Sequence, residues 1–348
     1  MKTYRKIIAF LLVCCLAVPA ISGCSESDSI VVYTYADAFN PDVLAAFTQK
    51  TGIKIVEVNY TNLDEPVEKL DSGEADQYDV VILSDYVVDI CRKKGLLGRL
   101  DKSEIPSIDL ISSAYTTQFY DEENAYTVPY LAGAPLIVYN KDKVSAPITG
   151  YNSLLDPALK NQIIAMDADR VLMGMMLIGM KKSMNTEDRD TLAELDKVMK
   201  KLKPNIVTLD SDLPHEKMLS GDASVGLMFN SQVSALIRGR DNFVCVYPSE
   251  GMGFGIDSLT ISKASKNKDG AYKFLEFCLD PEMSAKNSMY NGYSNCNKRA
   301  SEYLDEAYNN DKAINIPPER LIGAEIIRPL DNDTLKVYER IWTDFKAQ

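Results

Sequence analysis

The 348-residue sequence contains one histidine and one tryptophan. A single histidine leaves no histidine-based triad and no histidine cluster for a metal, and His215, in a polar helical stretch, reads as a surface residue. Cysteine is scarce, with seven in the chain and none in CxxC or another metal spacing. Cys14, Cys15 and Cys24 fall in or just after the first apolar stretch. Of the others, Cys91, Cys245 and Cys278 sit on apolar faces, where buried free thiols are the expectation, and a Cys278–Cys296 disulfide stays open. No nucleophile elbow and no glycine-rich phosphate loop is present. No metal and no cofactor is therefore expected. Positive charge is in deficit: 38 basic against 50 acidic residues give a net charge of −12. That balance argues against nucleic-acid binding, which needs a basic footprint. It attracts cations through the summed field of the protein, and it also serves solubility. Internal repeats and low-complexity segments are absent.

Charge is missing altogether between Ile7 and Ser22. Lys2, Arg5 and Lys6 precede this run, and small residues end it, which is the pattern of a secretory signal. The run is broken by Pro19 and is short for a membrane span. It closes in Ile21-Ser22-Gly23-Cys24, which resembles a bacterial lipobox. The resemblance implies a diacylglyceryl group on Cys24, and two acyl chains anchor stably where one is marginal. Residues 1–23 are read as a lipoprotein signal peptide and 24–29 as a tether, placing the body outside the cytoplasm, in the periplasm or at the outer face of the cytoplasmic membrane. Without residues 1–23 the chain keeps 35 basic and 50 acidic residues, a net charge of −15.

What is present from residue 30 onward is alternation. Ile30–Thr34 reads as a strand, and Asn40-Pro41 starts a helix with asparagine as cap and proline in the first turn. Thr51-Gly52 stops that helix, and residues 53–58 form a second strand. A helix over 66–70, a strand over 79–83 and a helix from Asp85 to Lys94 follow. The pattern resumes with strands at 135–139 and 162–166, a methionine-rich helix over 169–181 whose methionines are core filler, and an amphipathic helix over 188–203. Strands at 224–229 and 243–247, helices over 268–290 with a second start at Asp280-Pro281, and a final helix from about Asp333 complete the chain. Strand–helix–strand at this spacing means parallel sheets covered by helices. With 46% hydrophobic residues and this length, two α/β domains are expected.

Ligands of open α/β sheets bind outside the carboxyl ends of strands. Those ends carry Tyr35, the run Ser84-Asp85-Tyr86, Asp167 with Arg170, and Phe229-Asn230. The stretch Gly253-Phe-Gly-Ile-Asp-Ser-Leu259 adds Asp257, a carboxylate among strand residues that must be bonded, paired or neutralised. Asp85 and Asp167 also stand where helix N-caps are expected. Asp257 has no such alternative.

By these features the chain resembles the bacterial periplasmic binding proteins of the spermidine/putrescine class. The resemblance is carried by Phe47–Ile55, Tyr78–Asp89, Val128–Asn140, Ile256–Ile261 and Asn267–Phe274. It implies a two-lobe α/β binding-protein fold (type II) with a ligand cleft between lobes joined by crossing strands. Lobe 1 is expected over 30–134 with about 260–305, and lobe 2 over 135–259 with about 306–348. The crossings are expected near 133–139 and 254–261. It further implies a solute-binding lipoprotein, without enzymatic activity, that captures a polyamine by lobe closure and delivers it to an ABC permease as a monomer. In the family the aspartate at Asp257 pairs with an amine. The matching ligand-binding set here is Tyr35, Ser84, Asp85, Tyr86, Asp167, Phe229 and Asp257.

Departures from that pattern matter. The family's tryptophans are replaced by Tyr35, Phe229 and Gly255, and the last swap removes an aromatic wall. Ala36 and Ala38 replace polar or aromatic neighbours. The second acid, three residues after Asp167, is Arg170, and an amide before the last helix is Arg328. Arg170 at this spacing is able to pair with Asp167. Arginine also holds carboxylates in a bidentate fork, so an amino acid or small peptide bound by Asp257 with Arg170 or Arg328 is the alternative ligand. A tethered glycoside-cleaving enzyme built on paired aspartates, and a sensor that signals its closed form, are alternatives of other classes.

Overall fold

The computed structural model describes residues 29–62 and 65–347. The signal sequence and Cys24 lie outside these residues. In chain order the first unit opens with β1 (Ser29–Tyr35), α1 (Pro41–Thr51), β2 (Lys54–Tyr60), α2 (Glu65–Asp71), β3 (Val80–Ser84) and α3 (Asp85–Lys93). Local chemistry sets the ends of α1: the Asn40 side chain accepts from the Asp42 amide, and Gly52 takes the left-handed conformation, φ 76°, that stops the helix.

After a long irregular stretch, β4 (Val128–Gly133) and β5 (Pro135–Asn140) follow with one residue between them. The second unit continues with β6 (Ile163–Ala165), α4 (Asp169–Gly179), α5 (Arg189–Leu202), β7 (Ile206–Leu209), α6 (Pro214–Ser220), β8 (Val225–Phe229), α7 (Asn230–Ile237) and β9 (Phe243–Val246). The chain then returns through β10 (Gly255–Ile261), α8 (Lys268–Cys278), α9 (Pro281–Asn291) and β11 (Ser294–Asn295), and ends with α10 (Glu306–Asn309) and α11 (Asn332–Ala347).

Two sheets result, β11-β4-β10-β3-β1-β2 and β7-β6-β8-β5-β9. Each has its own buried core: Val32, Phe47, Ile82 and Phe274 belong to the first, and Met173, Leu195 and Leu227 to the second, where Tyr338, Ile341 and Phe345 of α11 also pack. Among the described residues the chain passes between sheets three times. The first passage is at Gly133–Ala134. The second is residues 247–254, because β10 lies whole in the first sheet; the expected crossing over 254–261, and the lobe boundary at 259, move upstream accordingly. The third lies between β11 and α11, where the expected lobe bounds put a return near residue 306. It runs beside the second, with the Phe254 amide donating to the Glu325 carbonyl at 3.0 Å and the Glu325 amide to the Met252 carbonyl at 3.1 Å. Cys91, Cys245, Cys278 and Cys296 are all free thiols, so no Cys278–Cys296 disulfide forms. His215 is half-buried, and its Nδ1 is covered without a partner, so it is not the surface residue expected.

Candidate functional site

β1, β2 and β3 run parallel, and β10 runs antiparallel to β3 with Asp257 opposite Ser84 and Ile261 opposite Val80. The carboxyl ends of β1 and β3 therefore meet the start of β10. This places Tyr35, Ser84, Asp85, Tyr86 and Asp257 at one edge of the first sheet.

The Tyr35 hydroxyl donates to Asp257 Oδ2 at 3.0 Å. Asp257 stays partly open to solvent, while Asp85 is 5% exposed. Asp85 lies in the first turn of α3 and accepts from the Tyr86 amide at 2.7 Å through Oδ1 and from the Ile256 amide at 3.3 Å through Oδ2. Asp85 does not fill the N-cap role expected of it, since Ser84 is the N-cap of α3 and no side chain caps the helix; its other oxygen reaches across to β10. Gly255 makes room for this: a Cβ there would stand 3.2 Å from Asp85 Oδ2. Ser84 Oγ is buried with no partner.

The two carboxylates share a setting. Burial pushes Asp85 up to about 7, and the nearby Asp257 charge adds to it, against the two amide bonds. Burial pushes Asp257 up to about 6, against the Tyr35 hydroxyl bond. No lysine or arginine among the described residues holds either group down. A bare carboxylate in such surroundings is costly, so the pair favours protonation or an external cation.

Three further tyrosines that the sequence reading did not select feel these acids. Burial raises Tyr60 and Tyr293, and the Asp257 charge adds to both; burial raises Tyr120, and the Asp85 charge adds. Tyr60 was findable, since it ends β2 directly beside Tyr35. Tyr293 follows the helix-ending Gly292 and has no such signal.

Across the cleft, the second unit contributes Phe229 at the end of β8, partly buried against its core, and Arg170 in the first turn of α4. Arg170 does not pair with Asp167. Instead Asp167, which is exposed, is held by Lys346 at 3.0 and 3.1 Å, because α11 brings that ammonium to the end of β6. It does not cap α4 either, whose N-cap residue is Ala168. The Arg170 guanidinium lies 4.9 Å from the Tyr338 ring centroid and donates from Nη2 to Asn185 Oδ1 and the Arg328 carbonyl, each at 3.3 Å. Its Nε is buried with no partner, and burial lowers its pKa against the fields of Tyr338, Asp169 and Tyr86. Arg328 is exposed, with its guanidinium 4.7 Å from the ring of Phe119 in the first unit. The structure thus gathers Tyr35, Ser84, Asp85, Tyr86 and Asp257 in one cluster. It sets Arg170 and Arg328 facing that unit from the other side, and holds Asp167 in a separate ion pair. No group of histidine, cysteine or acidic side chains able to hold a metal occurs among the described residues.

Comparison with known proteins agrees with this architecture. Residues 42–316 match the bacterial extracellular solute-binding protein family. The spermidine/putrescine-binding periplasmic protein of Salmonella typhimurium is 30% identical over 324 residues, 93% of each chain. The putrescine/cadaverine-binding protein of Pseudomonas aeruginosa is 25% identical over 337 residues, covering 93% of this chain and 95% of that one. Among solved structures, the spermidine/putrescine ABC transporter substrate-binding protein PotD of Streptococcus pneumoniae superimposes with a TM-score of 0.84 at 30% identity, over 92% of this chain and 99% of the other. With two sheets joined by three passages and an edge cluster of acids and tyrosines facing the second unit, the chain belongs to the bacterial extracellular solute-binding proteins.

Proposed function

We propose that this protein captures a di- or polyamine, of the putrescine or spermidine kind, and hands it to an ABC permease in the membrane. The observation that carries this is the Asp85–Asp257 pair, two desolvated carboxylates without a protein cation, bordered by tyrosines. An alkyl ammonium supplies the missing charge, and an aromatic face over it adds about 0.5–2 kcal/mol. Relatives that span nearly the whole chain bear spermidine/putrescine and putrescine/cadaverine in their names, which supports the same ligand class. The relatives' periplasmic placement supports a site of action outside the cytoplasm, and the run Ile21-Ser22-Gly23-Cys24 supports lipid on Cys24 as the anchor. Ligand that touches both units stabilises the closed arrangement by its differential affinity, and no covalent step is involved.

A second reading has its own observation. The buried, unpartnered Nε of Arg170, across from Tyr86, is able to receive a carboxylate, so an amino acid or small peptide would put its ammonium on Asp257 and its carboxylate on Arg170. Calorimetric titration of refolded protein with putrescine, spermidine and an amino-acid panel decides between them. Micromolar or tighter binding of an amine is expected. Asp257→Asn should weaken it by about 2–4 kcal/mol, through loss of a charge-assisted partner. Heat with an amino acid and none with amines would overturn the first reading in favour of the second.

A further inference from the structure

The end of the first unit opposite the cleft carries an unassigned groove of about 300 Å³ between the loop after α3 and the loop after β10. Arg92, Arg99, Lys263 and Lys268 line it with Tyr126 and Tyr272, and no acidic residue lines it. Arg92 is paired with Asp89 at 3.2 Å and Arg99 with Glu123 at 3.0 Å. Lys263 and Lys268 enter no ion pair among the described residues, and Arg92 Nε is buried without a partner. With Arg92 and Arg99 balanced by Asp89 and Glu123, Lys263 and Lys268 leave the groove with a net positive charge in a chain with a large acidic excess.

Topology fixes where this groove lies. Ile261, at the end of β10, pairs with Val80 at the start of β3, whereas Asp257 pairs with Ser84 at its end, so about 13 Å of strand separates the groove edge from the cleft edge. β1 starts at the groove edge too: Asn267, next to Lys268, donates from Nδ2 to the Ser29 carbonyl at 2.8 Å. Only residues 25–28 separate Ser29 from Cys24, a span of at most about 18 Å. Lipid on Cys24 would hold this pole against the bilayer.

We propose that the Arg92–Arg99–Lys263–Lys268 groove receives phosphate headgroups of anionic phospholipid in the membrane to which the protein is tethered. The pole then rests on the membrane, the acidic remainder of the body is repelled from it, and the cleft faces away toward incoming solute. The inference rests on lipid attachment at Cys24, which is checked separately by the mass of the N-terminal peptide of protein processed in cells. The surface itself is tested without the lipid. The chain from Ser25 onward contains both sheets and their cores, and is sedimented with vesicles of phosphatidylcholine alone or mixed one to one with phosphatidylglycerol. Expected is co-sedimentation with the mixed vesicles only, lost at high salt. Lys263→Ala with Lys268→Ala should weaken it at least ten-fold, since each basic residue at an anionic surface contributes roughly five-fold. A thermal melt and amine titration unchanged by the double substitution show that fold and cleft are intact. No sedimentation of the parent protein, or equal sedimentation of parent and variant, overturns the proposal. Displacement by inorganic phosphate at concentrations where chloride has no effect would instead assign the groove to a free anion. An unmodified Cys24 with vesicle binding intact would remove the tether while keeping the surface.

Discussion

At Asp85 and Asp257, pH acts in opposite directions on stability and on binding. Both carboxyls titrate higher in the fold, at about 7 and about 6, than in an unfolded chain near 3.9. The folded protein therefore holds these protons more tightly, and their contribution to ligand-free stability is full below about 3.9 and is lost as pH rises from there through about 6 and about 7. Ammonium binding needs the ionised form, so amine affinity falls as pH drops through the same values. Titrations between pH 8 and 5 should show at least ten-fold weaker amine binding at the acid end, while denaturant melts of the empty protein show higher stability there. Asp85→Asn removes the buried charge but also one acceptor for the Ile256 amide, so a net gain on the order of 1–3 kcal/mol in ligand-free stability at pH 8 is expected. A loss of stability there would mean that Asp85 is ionised and satisfied without ligand. Burial of the thiols follows the same rule: Cys91 and Cys245 are each pushed up to about 12 and stay protonated.

Among the elements, the start of α7 holds the two units together. Asn230 is fully buried; its amide donates to the Ala134 carbonyl at 3.0 Å, its Oδ1 accepts from the Ala134 amide at 3.4 Å, and its Nδ2 donates to Ser294 Oγ of β11 at 3.3 Å. Asn230→Ala should cost about 1–3 kcal/mol in a denaturant melt, because two buried partners are left unmade. An unchanged midpoint would show that the passage is held by backbone alone. The regular elements were legible in the sequence where local chemistry decides them. Asn40 capping α1, Asp280 starting α9 and the stop at Gly52 are local signals, and the structure agrees with each. β4, β7, α7 and β11 were not, since each spans eight residues or fewer, and β11 only two, too little for a clear period. Tyr35 and Ser84–Tyr86 followed from the strand-end rule, whereas Asp257, near the start of β10, was picked out as a carboxylate among apolar strand residues. The partner of Asp167 did not, because Lys346 lies 179 residues away and only the docking of α11 brings it near.

For the molecule as a whole, capture requires that the two units move together, and Arg328 spans them. Its amide donates to Asn185 Oδ1 of the second unit at 2.8 Å, while its guanidinium covers Phe119 of the first. Asn185 also holds Arg170, so this one amide side chain ties both arginines to the face opposite the acid pair. Arg328 is exposed over the half-buried Phe119 ring, a setting in which a cation–ring contact contributes about 0.5–1 kcal/mol, and here that energy is gained only when the units are together. Arg328→Ala therefore shifts the ligand-free equilibrium toward open forms, and the apparent affinity falls by the lost closed fraction. For an amine ligand the expected change is a roughly two- to five-fold higher Kd. Small-angle scattering should show a larger radius of gyration without ligand and the parent value at saturation. A ligand whose carboxylate sits on Arg328 would lose far more, on the order of 1.5–3 kcal/mol, with no dependence on the open population. The size of the loss, read beside the scattering curve, separates an arginine that latches the cleft from one that holds the solute.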